Sequence, residues 1–158
     1  MTIKRVYVDN SVVSGMFDDH MPERVEQTGL FWQAVIDGRV RIVASNILDS
    51  ESENAPQHIQ NFFVGLPASQ IERVVSTEES DQLAMQYIAD SVIGAANLND
   101  CRHIALATAV NADAVISWNC DDMVRRGDRY NDVNERHGYK RIEIITPDEF
   151  MEVNHDGS

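Results

Sequence analysis

The stretch Arg5-Val6-Tyr7-Val8-Asp9-Asn10-Ser11 decides the fold class. Its first four residues are rich in β-branched and aromatic side chains and read as a short strand. The run stops at an acid followed by small polar residues, which favour a turn or a helix cap. Three more runs of this kind follow, at Val40–Ala44, Ala114–Ser117 and Ile142–Ile145. Between the first two lies an amphipathic stretch from about Pro22 to Ile36, closed by Asp37-Gly38. Apolar strands that alternate with helices predict an α/β domain in three layers. Its central sheet is mostly parallel, has four or five strands, and carries helices on both faces.

Helix-start signals agree with that pattern. Ser76-Thr77-Glu78-Glu79 has capping-box spacing ahead of a helix running through Ile93. Thr146-Pro147-Asp148-Glu149 repeats it, with proline in the first helical position of the last helix. Asn97 is placed to cap a helix from Leu98 to about Val110, which puts Asp100 in the first turn. The region from Ser45 to Leu66 reads as two short helices broken at Ala55-Pro56.

No repeat, low-complexity tract or linker interrupts the 158 residues, so the whole chain, 1–158, is assigned to one domain. The 43% hydrophobic and 25% charged fractions are those of a globular protein with its own core. No apolar run approaches the roughly 20 residues of a membrane span. Met1-Thr2-Ile3-Lys4-Arg5 enters the first strand without a signal-peptide core, and Cys101 and Cys120 form neither a disulfide framework nor a zinc pattern. A cytoplasmic protein is expected.

The net charge of −13 argues against a general nucleic-acid-binding surface. The distribution is uneven, however. Arg125, Arg126, Arg129, Arg136, Lys140 and Arg141 form a basic island against Asp128, Asp132 and Glu135. Such an island suits a phosphate backbone, an acidic partner, or simply a solvated face.

The acids fall at strand ends. Asp9 closes the first strand, and Asp49 and Glu51 follow the second. Asn119, Asp121 and Asp122 follow the third, and Asp100 opens the helix that feeds it. Parallel sheets bind ligands at the carboxyl ends of their strands. An acidic cluster there would repel itself without a hard cation, and an all-oxygen donor set suggests Mg2+ or Mn2+. Taken singly, a strand-end aspartate is most often a cap. Asp113 reads as a turn residue, His103 as a structural histidine, and Trp118 as packing rather than base stacking.

Other chemistries that start from a strand-end aspartate fail on spacing. A haloacid-dehalogenase phosphatase needs a second aspartate where Ser11 stands, and a receiver domain needs an acidic pair where Val8 precedes Asp9. Phosphate-cradling glycine loops and the G-x-S-x-G elbow are absent. Metal-assisted hydrolysis survives.

At this point the chain resembles a PIN domain, the nuclease fold that includes VapC-type toxins, from Val6 to about Val153. Val6-Tyr7-Val8-Asp9 resembles the opening strand with its first metal-binding aspartate. Ser45-Asn46-Ile47-Leu48-Asp49-Ser50-Glu51 resembles the serine followed by the metal-site glutamate. Asp100-Cys101-Arg102-His103-Ile104-Ala105-Leu106-Ala107 resembles the D-x-x-H-x-A-x-A helix, and Ser117-Trp118-Asn119 with the tail to Glu149 resembles a Ser-Trp-Asn subgroup. The departure is Asn119, where many PIN domains carry a fourth acid. An amide oxygen can ligate but adds no charge.

The resemblance implies a divalent-metal-dependent endoribonuclease, the toxin of a toxin–antitoxin pair. Asp9, Glu51 and Asp100 would bind Mg2+ or Mn2+ with Asn119 assisting, and Asp121 or Asp122 would be additional ligands. Arg125, Arg126 and Arg129 would contact RNA phosphates. An RNA substrate, a cognate antitoxin and a homodimer are the implied partners, with no membrane. The alternative is a PIN-fold binding protein with little or no catalysis.

Overall fold

The computed structural model describes residues 3–154. The first two and last four residues, part of the one-domain assignment and of the N-terminal reading, lie outside the described residues. The strands are β1 (Lys4–Val8), β2 (Val40–Ser45), β3 (Ile71–Val74), β4 (Ala114–Ile116) and β5 (Glu143–Ile145). They form one sheet in the order β3-β2-β1-β4-β5, and every neighbouring pair is parallel. The four strands read from sequence are there, and the sheet is wholly rather than mostly parallel.

β3 is the strand that sequence reasoning missed. Its residues Ile71-Glu72-Arg73-Val74 interleave charges because it is an edge strand that covers only β2. Glu72 takes a two-pronged ion pair from Arg5 of β1 (Nη2–Oε2 2.7 Å, Nε–Oε1 2.9 Å), and Arg73 pairs with Asp49 at 3.1 Å. Long-range partners, rather than an apolar run, hold this strand in place.

Alternate residues of the central strands face opposite layers. Val6 and Val8 of β1, with Ile42 and Ala44 of β2, pack against Phe31, Trp32 and Val35 of α2 (Pro22–Ile36) and Phe150 of α8 (Pro147–Asn154). Tyr7, Val43 and Val115 face the other way, toward α5 (Glu78–Ala89), α6 (Leu98–Ala109) and α7 (Gly127–Arg136). Both faces being covered is why these strands read as unbroken apolar runs.

The helix ends bear out some caps and correct others. α2 spans the residues read from sequence, and Gly38 adopts a positive φ of 80° while its N–H reaches Val35. The two short helices after β2 are α3 (Asn46–Ser52) and α4 (Gln57–Gln60). The α5 cap is Thr77 paired with Ser80, not Ser76 with Glu79, because Ser76 is engaged by Asn46. α5 also stops at Ala89, four residues short of Ile93, and Ser91 beyond it turns left-handed at φ 59°. Asn97 sits at the α6 N-cap position but makes no side-chain cap bond.

The chain runs outward from β1 through β2 to β3, then returns to place β4 on the other side of β1. That reversal opens a crevice beyond the carboxyl ends of β1 and β4, where open α/β sheets seat their ligands. The register pairs Val8 with Ile116, so Asp9 and Ser117 emerge side by side.

Candidate active site

Asp9 is 6% exposed and caps the short helix α1 (Asn10–Ser14). Its Oδ1 accepts from the Ser11 N–H (3.0 Å) and hydroxyl (2.5 Å), and its Oδ2 accepts from Ser117 Oγ (2.6 Å). The same hydroxyls reach onward: Ser11 Oγ accepts the Trp118 N–H, and Ser117 Oγ accepts that of Asn119. Two serines thus fasten the ends of β1 and β4 around one carboxylate. Sequence reasoning had singled out neither as functional; the signal was the register between the strands.

Burial pushes the Asp9 carboxyl above the usual range and Glu51 adds to the rise, while His103 and the serine hydrogen bonds oppose it. Asp100, in the first turn of α6, is also raised by burial, with Asp9 and Asp122 contributing, against the Asn97 hydrogen bond and His103. Asp9 therefore feels Glu51, and Asp100 feels Asp9 and Asp122. Asp121 stands apart from them, its side chain 78% exposed and paired with Arg125. Asp49 points away to Arg73, and Asp113 holds a turn by accepting the Arg5 N–H.

His103, read from sequence as a structural residue, links Glu51 to β1. It is 1% exposed, with Nε2 2.8 Å from Glu51 Oε1 and Nδ1 2.7 Å from the Tyr7 hydroxyl, which lies 2.7 Å from Ser45 Oγ. Ser45 Oγ also accepts the Leu48 N–H. Each ring nitrogen of His103 thus has one partner, Tyr7 on one side and Glu51 on the other. Burial pushes the Tyr7 phenol up, so it stays a donor.

The Asn119 side chain bridges two neighbours. Its amide oxygen accepts the Asp122 N–H (3.2 Å), closing the turn, and its NH2 donates to Asp100 Oδ2 (3.3 Å). Asn119→Asp would exchange that donor for a second negative charge beside Asp100. The expected result is a lower Tm without metal and a larger rise in Tm on adding Mn2+. Equal curves for variant and parent would reduce Asn119 to a turn cap.

The expected RNA-binding arginines are largely engaged. Arg126 donates to the carbonyls of Asp121 and Val92, Arg129 to that of Ser91, and Arg125 pairs with Asp121. Arg141 sits among Asp128, Asp132 and Glu135.

The donor chemistry fits a hard divalent cation. It consists of oxygens without thiolate, on acids that burial and mutual repulsion have raised. Among the described residues, no three His, Cys, Asp or Glu side chains are gathered as a ready metal-holding group. Nor is any helix among them long and apolar enough to cross a membrane.

No protein-family model and no curated protein matches the sequence. Solved structures do. The chain is similar to Mycobacterium tuberculosis VapC20, a toxin that cleaves the sarcin-ricin loop, at 10% identity and TM-score 0.55, over 87% of this chain and 98% of that one. It is also similar to a chain of Rickettsia felis VapBC2, solved bound to a DNA fragment from their promoter, at 13% identity and TM-score 0.55, over 90% and 98%. The chain has the PIN-domain fold of VapC-type toxins.

Proposed function

We propose that this protein is a divalent-metal-dependent endoribonuclease and the toxin half of a toxin–antitoxin pair. The observation that carries the reading is the buried Asp9 where β1 and β4 end, with the His103-held Glu51 and the Asn119-bonded Asp100 near enough to shift or be shifted by it. The VapC neighbours, one of which cleaves an RNA loop and one of which was solved as a complex on DNA, support it by fold. A cytoplasmic location, a cognate antitoxin and a homodimer are parts of the same reading.

Asp9, Glu51 and Asp100 would hold Mg2+ or Mn2+, with Asp122 nearer to them than Asp121. The ion supplies charge neutralisation and an acidified water for attack on phosphorus. Ser11 and Ser117 hold Asp9 in one rotamer, and His103 holds Glu51.

The test is cleavage of a labelled single-stranded RNA panel, with a DNA panel beside it, in Mg2+, Mn2+ or EDTA. RNA cut only with metal supports the reading, and no cleavage under any condition sinks it. That no metal-holding group stands ready among the described residues favours a second reading, a PIN-fold binding protein of little catalysis, for which RNA is bound but left intact.

Arg125, Arg126 and Arg129 enter this reading as phosphate contacts. Arg125 is 74% exposed, and an exposed ion pair such as that with Asp121 is worth under about 1 kcal/mol, so it yields readily to phosphate. Replacing all three by Ala is expected to weaken RNA binding across sequences and to flatten its salt slope by up to about three contacts. An unchanged slope returns them to the local bonds described above.

A further inference from the structure

Beside the carboxylates lies a cavity of about 330 Å³, lined by Ser11, Phe17, Asp18, Arg24, His58 and Trp118 among others. Two of these residues also build the acidic site. Ser11 Oγ donates to Asp9 and accepts the Trp118 N–H at 2.9 Å. A group seated in the cavity is therefore a direct neighbour of whatever Asp9 acts on.

The walls are aromatic and fixed. The Trp118 indole N–H donates to Thr28 Oγ1 at 2.9 Å, and the Arg24 guanidinium carbon lies 4.7 Å from the ring centre. Gly15 leaves the room for this: a Cβ there would stand 2.9 Å from Trp118 Nε1. Phe17, also in the lining, packs edge-on to His58, ring centres 4.7 Å apart, yet remains 38% exposed.

The charges are as telling as the rings. Most arginines of this acidic chain meet an acid or a backbone carbonyl, as Arg5, Arg73, Arg125 and Arg141 do. Among the described residues no carboxylate pairs with Arg24, whose recorded contact is an aromatic ring. Aromatic rings and a guanidinium plane are the groups on which unpaired RNA bases stack, and Asp18 and His58 add polar groups for a base edge. The volume is at the low end for a small-molecule pocket and suits one base, not a duplex.

We propose that this cavity is a nucleobase subsite, which seats one unpaired base of the RNA strand adjoining the scissile phosphate between Phe17 and Trp118. The proposal rests on the ribonuclease reading for its substrate, but its chemistry can be tested separately.

The experiment uses the full chain and two probes. The first is each of the four nucleoside 5′-monophosphates, followed by tryptophan fluorescence; stacking quenches Trp118, whereas Trp32, 2% exposed, serves as the unchanged background. The second is a single-stranded RNA 12-mer in which an abasic residue is moved along the strand. Phe17→Ala, with Phe17→Tyr as the conservative control and Tm as the check on folding, removes one wall without touching the acids. The expected result is that Phe17→Ala weakens RNA binding at least about 5-fold and abolishes the quench, while Phe17→Tyr keeps both. One abasic position next to the cut should cost the same, and combining the two changes should cost little more.

If RNA is cut but neither change matters, the subsite is overturned and the ribonuclease reading stands. If no RNA is cut yet nucleotides quench the parent and not Phe17→Ala, the subsite stands and the ribonuclease reading fails. Absence of both cleavage and quenching overturns both.

Discussion

The Asp9→Asn, Asp100→Asn variant is expected to melt higher than the parent in metal-free buffer and to cut RNA at least about 100-fold more slowly. The rate follows from losing two carboxylates, since even groups behind a metal's ligands cost about 10–100-fold when removed. The stability follows from burial. Burial holds both carboxyls above their ordinary range, with Glu51 adding to the rise at Asp9 and Asp9 to that at Asp100. The native state therefore binds more protons than the unfolded chain once the pH exceeds the ordinary carboxyl value of about 4. Metal-free stability should fall as the pH rises from there through the native pKa values, then level off. The double variant removes those protons and should flatten that part of the curve. Asparagine keeps one acceptor oxygen for Ser11, and its NH2 can meet the Ser117 hydroxyl. Addition of Mn2+ should raise the Tm of the parent but not of the variant. A full metal-dependent shift in the variant would place the cation elsewhere.

Replacing His103 should have the second-largest effect, on stability and rate together. His103→Leu keeps the bulk but removes the group between Tyr7 and Glu51. It leaves a buried hydroxyl with one partner fewer and a carboxylate without its donor, for a cost of about 1–3 kcal/mol and a Tm lower by several degrees. Cleavage should drop about 10–100-fold in kcat, because Glu51 loses the contact that orients it. His103→Gln, which can still donate to Glu51, should recover part of the rate. Tyr7→Phe tests the other end of the chain, since it takes the partner from Nδ1 while leaving Nε2 in place. If His103→Leu melts lower but keeps its kcat, His103 serves the core and not the site.

The acids were legible in sequence because strand ends are legible. β-Branched runs are local, and the residue after each one is placed by the sheet whatever the partners. Asp9 was found in this way, and Glu51 and Asp100 by their spacing from Ser45 and from His103. His103 was legible as a residue but not as a role. Its partners lie 52 and 96 positions away, on α3 and β1, and no spacing within α6 announces them. Asn119 was found at its strand end, but the direction of its amide depends on a turn closed three residues later. The basic island was visible as composition. The carbonyls of Ser91 and Val92 that engage it come from the far end of α5.

By itself, the sequence determined the alternation of strands and helices, the parallel sheet covered on both faces, and the acids at its carboxyl edge. All of these depend on hydrophobic period and on neighbours within a few residues. Tertiary structure alone decided the edge strand β3, whose apolar content is too low to stand out and whose place depends on Arg5 and Asp49. It also decided the serine bracket on Asp9, the Tyr7–His103–Glu51 chain, and the cavity between Phe17 and Trp118. Each of these joins side chains from different strands and helices, and such contacts exist only once the sheet order has brought β1 and β4 together.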